Sequence, residues 1–298
     1  MTAISIIIYI ALLKSKSVIA LRLSAEDFDL KQIFDCGQCF RWDSCDDGYI
    51  GIAYGLPLYI TQQGKTVTLH NTVLADWNSV WKDYFDADRD YGEIKRTLSA
   101  DPVMKNAVSF GEGIRILNQE PFECLISFII SASNNIPRIK KIINALCTSF
   151  GEKTEYMGNC FYTFPTPERL ASLDLSDLSV IRAGFRDKYI LAAAKCVSDG
   201  MIDLDCLKNA SAEYAKSQLL KLPGVGTKVA DCVLLFSLGK YSSFPVDVWI
   251  KRIMEYCYTD GEQTRDAIAA LADKKFGALG GFAQQYLFYW ARENKIGI

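Results

Sequence analysis

The stretch Leu222-Pro-Gly-Val-Gly-Thr-Lys-Val-Ala-Asp-Cys232, followed by Phe244-Pro-Val-Asp-Val-Trp249, decides how the rest of the chain is read. Pro223-Gly-Val-Gly226 has the composition of a tight hairpin between two helices, because glycine accepts the positive φ such a turn needs. The next helix begins near Thr227, and its first backbone N–H groups have no partner within it. Such an end suits a phosphate, although a Gly-x-Gly by itself reads equally as a structural connector. Lys228 falls in the first turn, where the helix dipole disfavours a cation, and Val229 and Ala230 withdraw it from water. Both effects favour the neutral amine that a nucleophile requires; the alternative from this residue alone is an ordinary exposed lysine. Asp247 follows Pro245 at another helix start. It serves there as an N-cap, or as a carboxylate that steadies an oxocarbenium-like sugar.

Outward from this stretch, helical periodicity fills the C-terminal two-thirds. Pro121 and Pro137 each open a helix. Phe122, Leu125, Ile126, Ile129 and Ile130 form one apolar stripe, and Ile139, Ile142, Ile143, Leu146 and Phe150 form another. Further helices are expected near 187–199, 210–220, 227–238, 247–258, 264–276 and 280–292. Tyr91, Ile94 and Leu98 share a face behind Asp88, an expected N-cap. Before about residue 75 the pattern is that of strands: Tyr49–Tyr54, Leu58–Thr61 and Val67–Leu69, with a turn at Gln62–Lys65. The expected fold is therefore α+β, a twisted antiparallel sheet domain over 1–110 followed by a mostly helical body over 111–298 that contains a helix-hairpin-helix motif.

Composition narrows function little. Acidic residues number 35 against 33 basic, for a net charge of −2, so a nucleic-acid partner would need a locally basic face. Ten cysteines without the spacing of a secreted scaffold read as reduced and mostly buried. Cys36-x-x-Cys39 with Cys45 suggests zinc, but no second pair follows nearby and His70 is the one histidine. The apolar run Ile4–Leu13 is too short for a bilayer, which takes about twenty residues, and its positive charges follow it instead of preceding it. A buried strand or an extension is the expectation there, in a cytoplasmic, monomeric protein.

Together the hairpin, Lys228 and the Pro-Val-Asp-Val segment resemble the helix-hairpin-helix, Gly/Pro–Asp superfamily of DNA glycosylases, and most closely the 8-oxoguanine DNA glycosylase family. The resemblance implies a bifunctional enzyme that flips 8-oxoguanine, and formamidopyrimidine-guanine, out of damaged duplex DNA. Lys228 would attack the sugar C1′ and form a Schiff base that permits β-elimination, aided by Asp247. Cys36-Gly-Gln-Cys-Phe-Arg-Trp42 is similar to the family's Gly-Gln-x-Phe-Arg-Trp segment, so the Gly37 carbonyl would accept the N7 hydrogen that the oxidised base carries. This match displaces the zinc reading. Cys232 would pack on the flipped base, Gln284 would bond its edge, and Phe288 would stack on it.

The same resemblance assigns the DNA contacts. Ser133-Asn-Asn-Ile-Pro-Arg138 matches the loop that fills the vacated stack, with Asn134 as a neighbour and Arg138 reading the estranged cytosine. In Gly184-Phe-Arg186, Phe185 would wedge beside the gap and Arg186 would bond the orphaned base. Gly224 and Gly226 would bring the hairpin to a phosphate. Carbonyls of Leu220, Leu222 and Val225 would hold a monovalent or divalent cation. The chain departs from the family at Ser133, where relatives have asparagine, and at Trp249 and Ala291, where relatives have a phosphate-contacting histidine and its acidic partner. A four-cysteine iron–sulfur cluster, as in sister branches, cannot be built, since only Cys257 follows Asp247. The alkylated-base branch lacks the lysine. A non-catalytic module gripping phosphates is the reading from another class.

Overall fold

The computed structural model describes residues 5–9, 20–24 and 27–297. Six described strands, β1 (Ser5–Tyr9), β2 (Ala20–Ser24), β3 (Trp42–Cys45), β4 (Gly48–Ala53), β5 (Leu56–Gln63) and β6 (Thr66–His70), form one antiparallel sheet ordered β1-β2-β6-β5-β4-β3. The link from β4 to β5 is Tyr54-Gly55, with φ of +52° and +74° at its two residues. Paired positive φ values there match the twist of the flanking strands, which is why this register holds. Strand β1 covers part of the apolar N-terminal run, while Ile4 and residues 10–13 of that run lie outside the described residues.

Alternation sends Leu58, Ile60, Val67 and Leu69 to one face, all fully buried. They pack with Ile33, Phe34, Trp42, Trp77, Trp81 and Phe85 into a core of their own. Burying each such aliphatic side chain contributes about 1.5–3 kcal/mol, so an aromatic-rich layer stabilises this sheet without a second sheet above it. The helix Leu30–Asp35 and the short π-helical turn Trp77–Trp81, neither of which the periodicity foresees, cover it.

The second core is helical and starts earlier than residue 111. Tyr91, Ile94 and Leu98 of the helix Tyr91–Leu98, with Met104, Ala107 and Val108 of Pro102–Phe110, pack into it, as do Cys36 and Phe40 from the N-terminal part. The N-cap of Tyr91–Leu98 is Asp90, accepting from Glu93 N, and not Asp88, which instead pairs with Lys82 at 2.8 Å. At the centre lies Pro121–Ser131, buried all round apart from Glu123 and Ser131, as expected of a helix apolar on nearly every face. It packs against Ile136–Phe150 and Thr227–Phe236. One departure from the helical expectation is a hairpin of β7 (Lys153–Tyr156) and β8 (Asn159–Tyr162). Its Tyr156 hydroxyl donates to the His70 carbonyl and accepts from Tyr59 N, docking the hairpin on the sheet. Among the described residues no helix is long and apolar enough to cross a membrane, and no group of His, Cys, Asp or Glu is arranged to hold a metal.

Candidate active site

The helices Ala212–Leu219 and Thr227–Phe236 flank the hairpin and are tied together by Lys216 and the buried Asp231 at 2.7 Å. Within the turn, Gly224 carries the positive φ, +84°, and a Cβ there would fall 2.5 Å from the Tyr189 ring. Gly226 has φ −91° and open space around its Cα. It caps Thr227–Phe236 without any side-chain hydrogen bond, so the first N–H groups of that helix stay available. Gly224→Ala is therefore expected to cost about 2–3 kcal/mol in a urea titration. Gly226→Ala, with open space around it, should stay within about 0.5 kcal/mol.

A cavity of about 770 Å³ opens beside this helix start. Gly37, Phe128, Ser131, Lys228, Asp247 and Phe288 line it, and its remaining wall includes the segment 132–137 and Trp249. Lys228 is half-buried; its Nζ lies 4.9 Å from the centre of the Phe128 ring and 3.4 Å from Ser131 Oγ. Asp247 is the N-cap of Val248–Tyr258, one carboxylate oxygen accepting from Ile250 N at 2.8 Å. Burial raises its pKa, opposed by the Ile250 N–H bond and by the positive charge of Lys228. Cap and cavity-lining carboxylate are thus one residue, and the two readings of Asp247 do not compete. Three cations of the cavity wall, Lys228, Arg265 and Arg292, face a single acid, Asp247. A locally positive site sits inside an acidic chain.

Gly37 is held from both sides. Its φ is +83°, the Cys36 carbonyl before it accepts from Gln285 Nε2 at 2.9 Å, and the Gln38 side chain after it bonds Ile33, Arg115 and Leu117 backbone groups. These buried glutamines were missed by pattern reading, which has no signal for an amide that clamps a loop. Cys36 and Cys39 are buried, their thiols donating to the carbonyls of Ile33 and Phe34.

Other expected residues fall differently. Cys232 is buried under Lys228, not on the cavity wall; burial pushes its thiol up to about 11 while the Lys228 charge pulls the other way. Gln284 is likewise set back from the wall, 5% exposed, with Oε1 buried and unpartnered. Arg186 does not project toward a partner base: it is 2% exposed and donates to the carbonyls of Ala132, Ser133 and Ala183. A buried guanidinium finds its acceptors in the nearest backbone, so here it clasps the loop that carries Ser133. Ser133 is exposed with φ +50°, a region asparagine tolerates better than serine. Asn134 Nδ2 donates to Ile130 O, and Asn135 caps Ile136–Phe150. Arg138 is exposed, its guanidinium without an ion pair or hydrogen bond among the described residues. Phe185 is 57% exposed, edge-on to Tyr189, which in turn meets Gly224. Trp249 lies on the cavity wall under the Arg252 guanidinium.

Family models and solved structures match this chain over most of its length. A family model described as "8-oxoguanine DNA glycosylase, N-terminal domain" matches residues 20–125, and one described as "HhH-GPD superfamily base excision DNA repair protein" matches 126–277. A Clostridium acetobutylicum 8-oxoguanine glycosylase/lyase, solved with double-stranded DNA containing cytosine opposite 8-oxoguanine, superposes with a TM-score of 0.92 at 45% identity, over 96% of this chain and 99% of that one. A probable N-glycosylase/DNA lyase of Methanothermobacter thermautotrophicus is 26% identical over 93% of this chain and 97% of its own length. An N-glycosylase/DNA lyase of Saccharomyces cerevisiae is 35% identical over 59% of this chain and 56% of its own. The chain belongs to the HhH-GPD superfamily of base excision DNA repair proteins, within its 8-oxoguanine DNA glycosylase family.

Proposed function

We propose that the protein is a DNA N-glycosylase with abasic-site lyase activity, acting as a monomer, that draws 8-oxoguanine out of duplex DNA into the 770 Å³ cavity and releases it. The observation that carries this is an amine, Lys228 Nζ, on the wall of a cavity that also holds Asp247, at the foot of an uncapped helix end. Nζ forms a bond to C1′ as the C1′–N9 bond breaks, and the electron pair leaves with the base. The Asp247 carboxylate offsets the positive charge that builds on the sugar. One Nζ proton passes to the departed base anion and the other to O4′ as the sugar ring opens to a C1′=N Schiff base; loss of a C2′ proton to solvent then expels the 3′ phosphate and cuts the strand. Gly37 O accepts the N7 hydrogen of the lesion. Guanine, with a lone pair at N7, would leave that carbonyl unpaired and opposed, a discrimination worth several kcal/mol in a dry pocket. Formamidopyrimidine-guanine offers a comparable N–H and is a second substrate in this reading.

No cofactor takes part in the chemistry so described. A monovalent or divalent cation at the hairpin would be held by three carbonyl oxygens, a donor set suited to hard ions. That of Leu222 accepts from Val225 N at 3.1 Å, and those of Leu220 and Val225 accept no hydrogen bond among the described residues. The ion would add positive potential toward a phosphate.

Single-turnover excision on duplexes bearing 8-oxoguanine opposite each of the four bases tests the proposal. Fastest release opposite cytosine, with the strand cut before any alkali is added, is the expected result. Release that leaves the strand whole until alkali treatment would point to a purely hydrolytic enzyme and contradict it. With its guanidinium unpaired beside the 133–135 loop, Arg138 is assigned the estranged cytosine. Arg138→Ala should therefore bring the rates opposite the four bases within about threefold of one another. An unchanged ranking would remove Arg138 from that role.

A further inference from the structure

In the helix Gly280–Asn294, Arg292 uses its nitrogens unequally. Nη2 donates to the Asp35 carbonyl, and Nε and Nη2 both donate to Glu293 Oε1, at 3.0 and 2.9 Å. Nη1 is buried and has no hydrogen-bond partner. The position of this orphan is defined: a Cβ built on Gly37 would lie 3.3 Å from it and 3.1 Å from Phe288 Cε1. Arg292 lines the same cavity as Lys228 and Asp247, with its guanidinium 5.3 Å from the Phe288 ring centre. A charged donor kept from water and left without an acceptor is costly, and in a ligand cavity the cost is recovered when a ligand supplies the acceptor.

We propose that Arg292 is a specificity-determining residue whose Nη1 recognises the C8 oxygen of the oxidised purine. The inference rests on the excision reading above and extends it. Oxidation changes guanine at two adjacent atoms: N7 gains a hydrogen and C8 gains a carbonyl oxygen. With the Gly37 carbonyl on N7–H, the neighbouring oxygen needs a donor next to Gly37, and Nη1 is such a donor. Undamaged guanine presents a C8–H hydrogen of positive character to the guanidinium, so the donor stays unsatisfied and faces like polarity. The contact also strengthens during reaction. When the C1′–N9 bond breaks, its electron pair enters the N9–C8–O8 unit, and the oxygen becomes more negative beside a fixed cation. No proton need move in that step.

The test compares 8-oxoguanine with its C8-sulfur analogue, which keeps the N7 hydrogen and offers a much poorer acceptor, in single-turnover excision by the full chain. Wild-type protein should release the oxygen substrate at least tenfold faster than the sulfur one. Arg292→Met, which keeps length and packing, should slow 8-oxoguanine release at least tenfold and reduce the oxygen-to-sulfur ratio to about one. Arg292→Lys, which keeps charge and a donor, should retain an intermediate ratio. A methionine variant that excises at the wild-type rate overturns the inference. So does one that slows both substrates equally with the ratio intact, for then Arg292 merely holds the Gly37 loop through Asp35. A wild-type protein that leaves 8-oxoguanine in the duplex overturns the excision reading itself, a result distinct from either variant outcome.

Discussion

Lys228→Gln is expected to lose single-turnover release of 8-oxoguanine by a thousandfold or more, on the scale of removing a covalent nucleophile. The loss should be chemical and not structural. Lys228 Nζ makes one long contact, 3.4 Å to Ser131 Oγ, and lies over the Phe128 ring; a glutamine reaches the same space at a stability cost of no more than ~1 kcal/mol. Binding to the lesion duplex should persist or tighten, because the substitution removes turnover but leaves the hairpin, the 132–137 segment and the Gly37 pocket in place. A glutamine variant that releases the base within tenfold of wild type would take the nucleophile's role from this residue. Unfolding of the variant would be seen at once in its melting curve and separated from a catalytic effect.

Asp247→Asn should slow release ten- to a hundredfold with little change in affinity for the duplex. The amide oxygen can still accept from Ile250 N, so the start of Val248–Tyr258 survives and the charge alone is lost. Asp247→Ala removes the cap as well and should cost roughly 1 kcal/mol of stability in addition. The pH dependence follows from the direction of the shift. Burial raises the Asp247 pKa above the ordinary aspartate value, so the acid limb of the rate profile should lie above that value. Rates fall as pH drops through that limb, and the limb should be absent in the asparagine variant. The same shift has a stability consequence of opposite sense. Between its unfolded and folded pKa the native state binds the extra proton, so stability declines as pH rises through that window, and the carboxylate is a net burden at neutral pH. Asp247→Asn is thus expected to melt above wild type while working more slowly, and a lower melting temperature would refute this sign.

How far the residues disclosed the outcome depends on whether the signal was local. Helix starts at Pro121, Thr227 and Val248 were legible because proline, glycine and aspartate act on their own turn. The strands of the meander were legible from alternation, since one face of that sheet is buried. The hairpin β7–β8 was missed because Met157-Gly158 is the sole strong turn signal between two short, half-exposed strands. That Tyr91–Leu98 and Pro102–Phe110 join the helical core is not legible for a related reason: both are amphipathic, and periodicity says that a face is buried without saying against which core.

In the site, the residues on the motif, Lys228 and Asp247, came together as expected around one cavity. Those whose position depends on side-chain packing across the chain did not announce themselves. Arg186 carries the composition of a DNA contact, yet its donors are absorbed by three carbonyls. Gln38 and Gln285 look like generic polar residues, yet together they hold the loop around Gly37, across a separation of 249 residues in the longer case. Arg292 looks like a helix C-terminal cation, favourable there on dipole grounds alone, and its unpartnered nitrogen is visible only once Gly37 and Phe288 are placed beside it.

The most direct measurement is borohydride reduction during turnover on 8-oxoguanine duplex, followed by digestion and mass spectrometry of the crosslinked peptide. A deoxyribose remnant, joined through C1′ to the side-chain nitrogen of residue 228, is expected on the peptide spanning Val225–Cys232. Strand cutting accompanied by no adduct, or by an adduct on another amine with residue 228 unmodified, would contradict it.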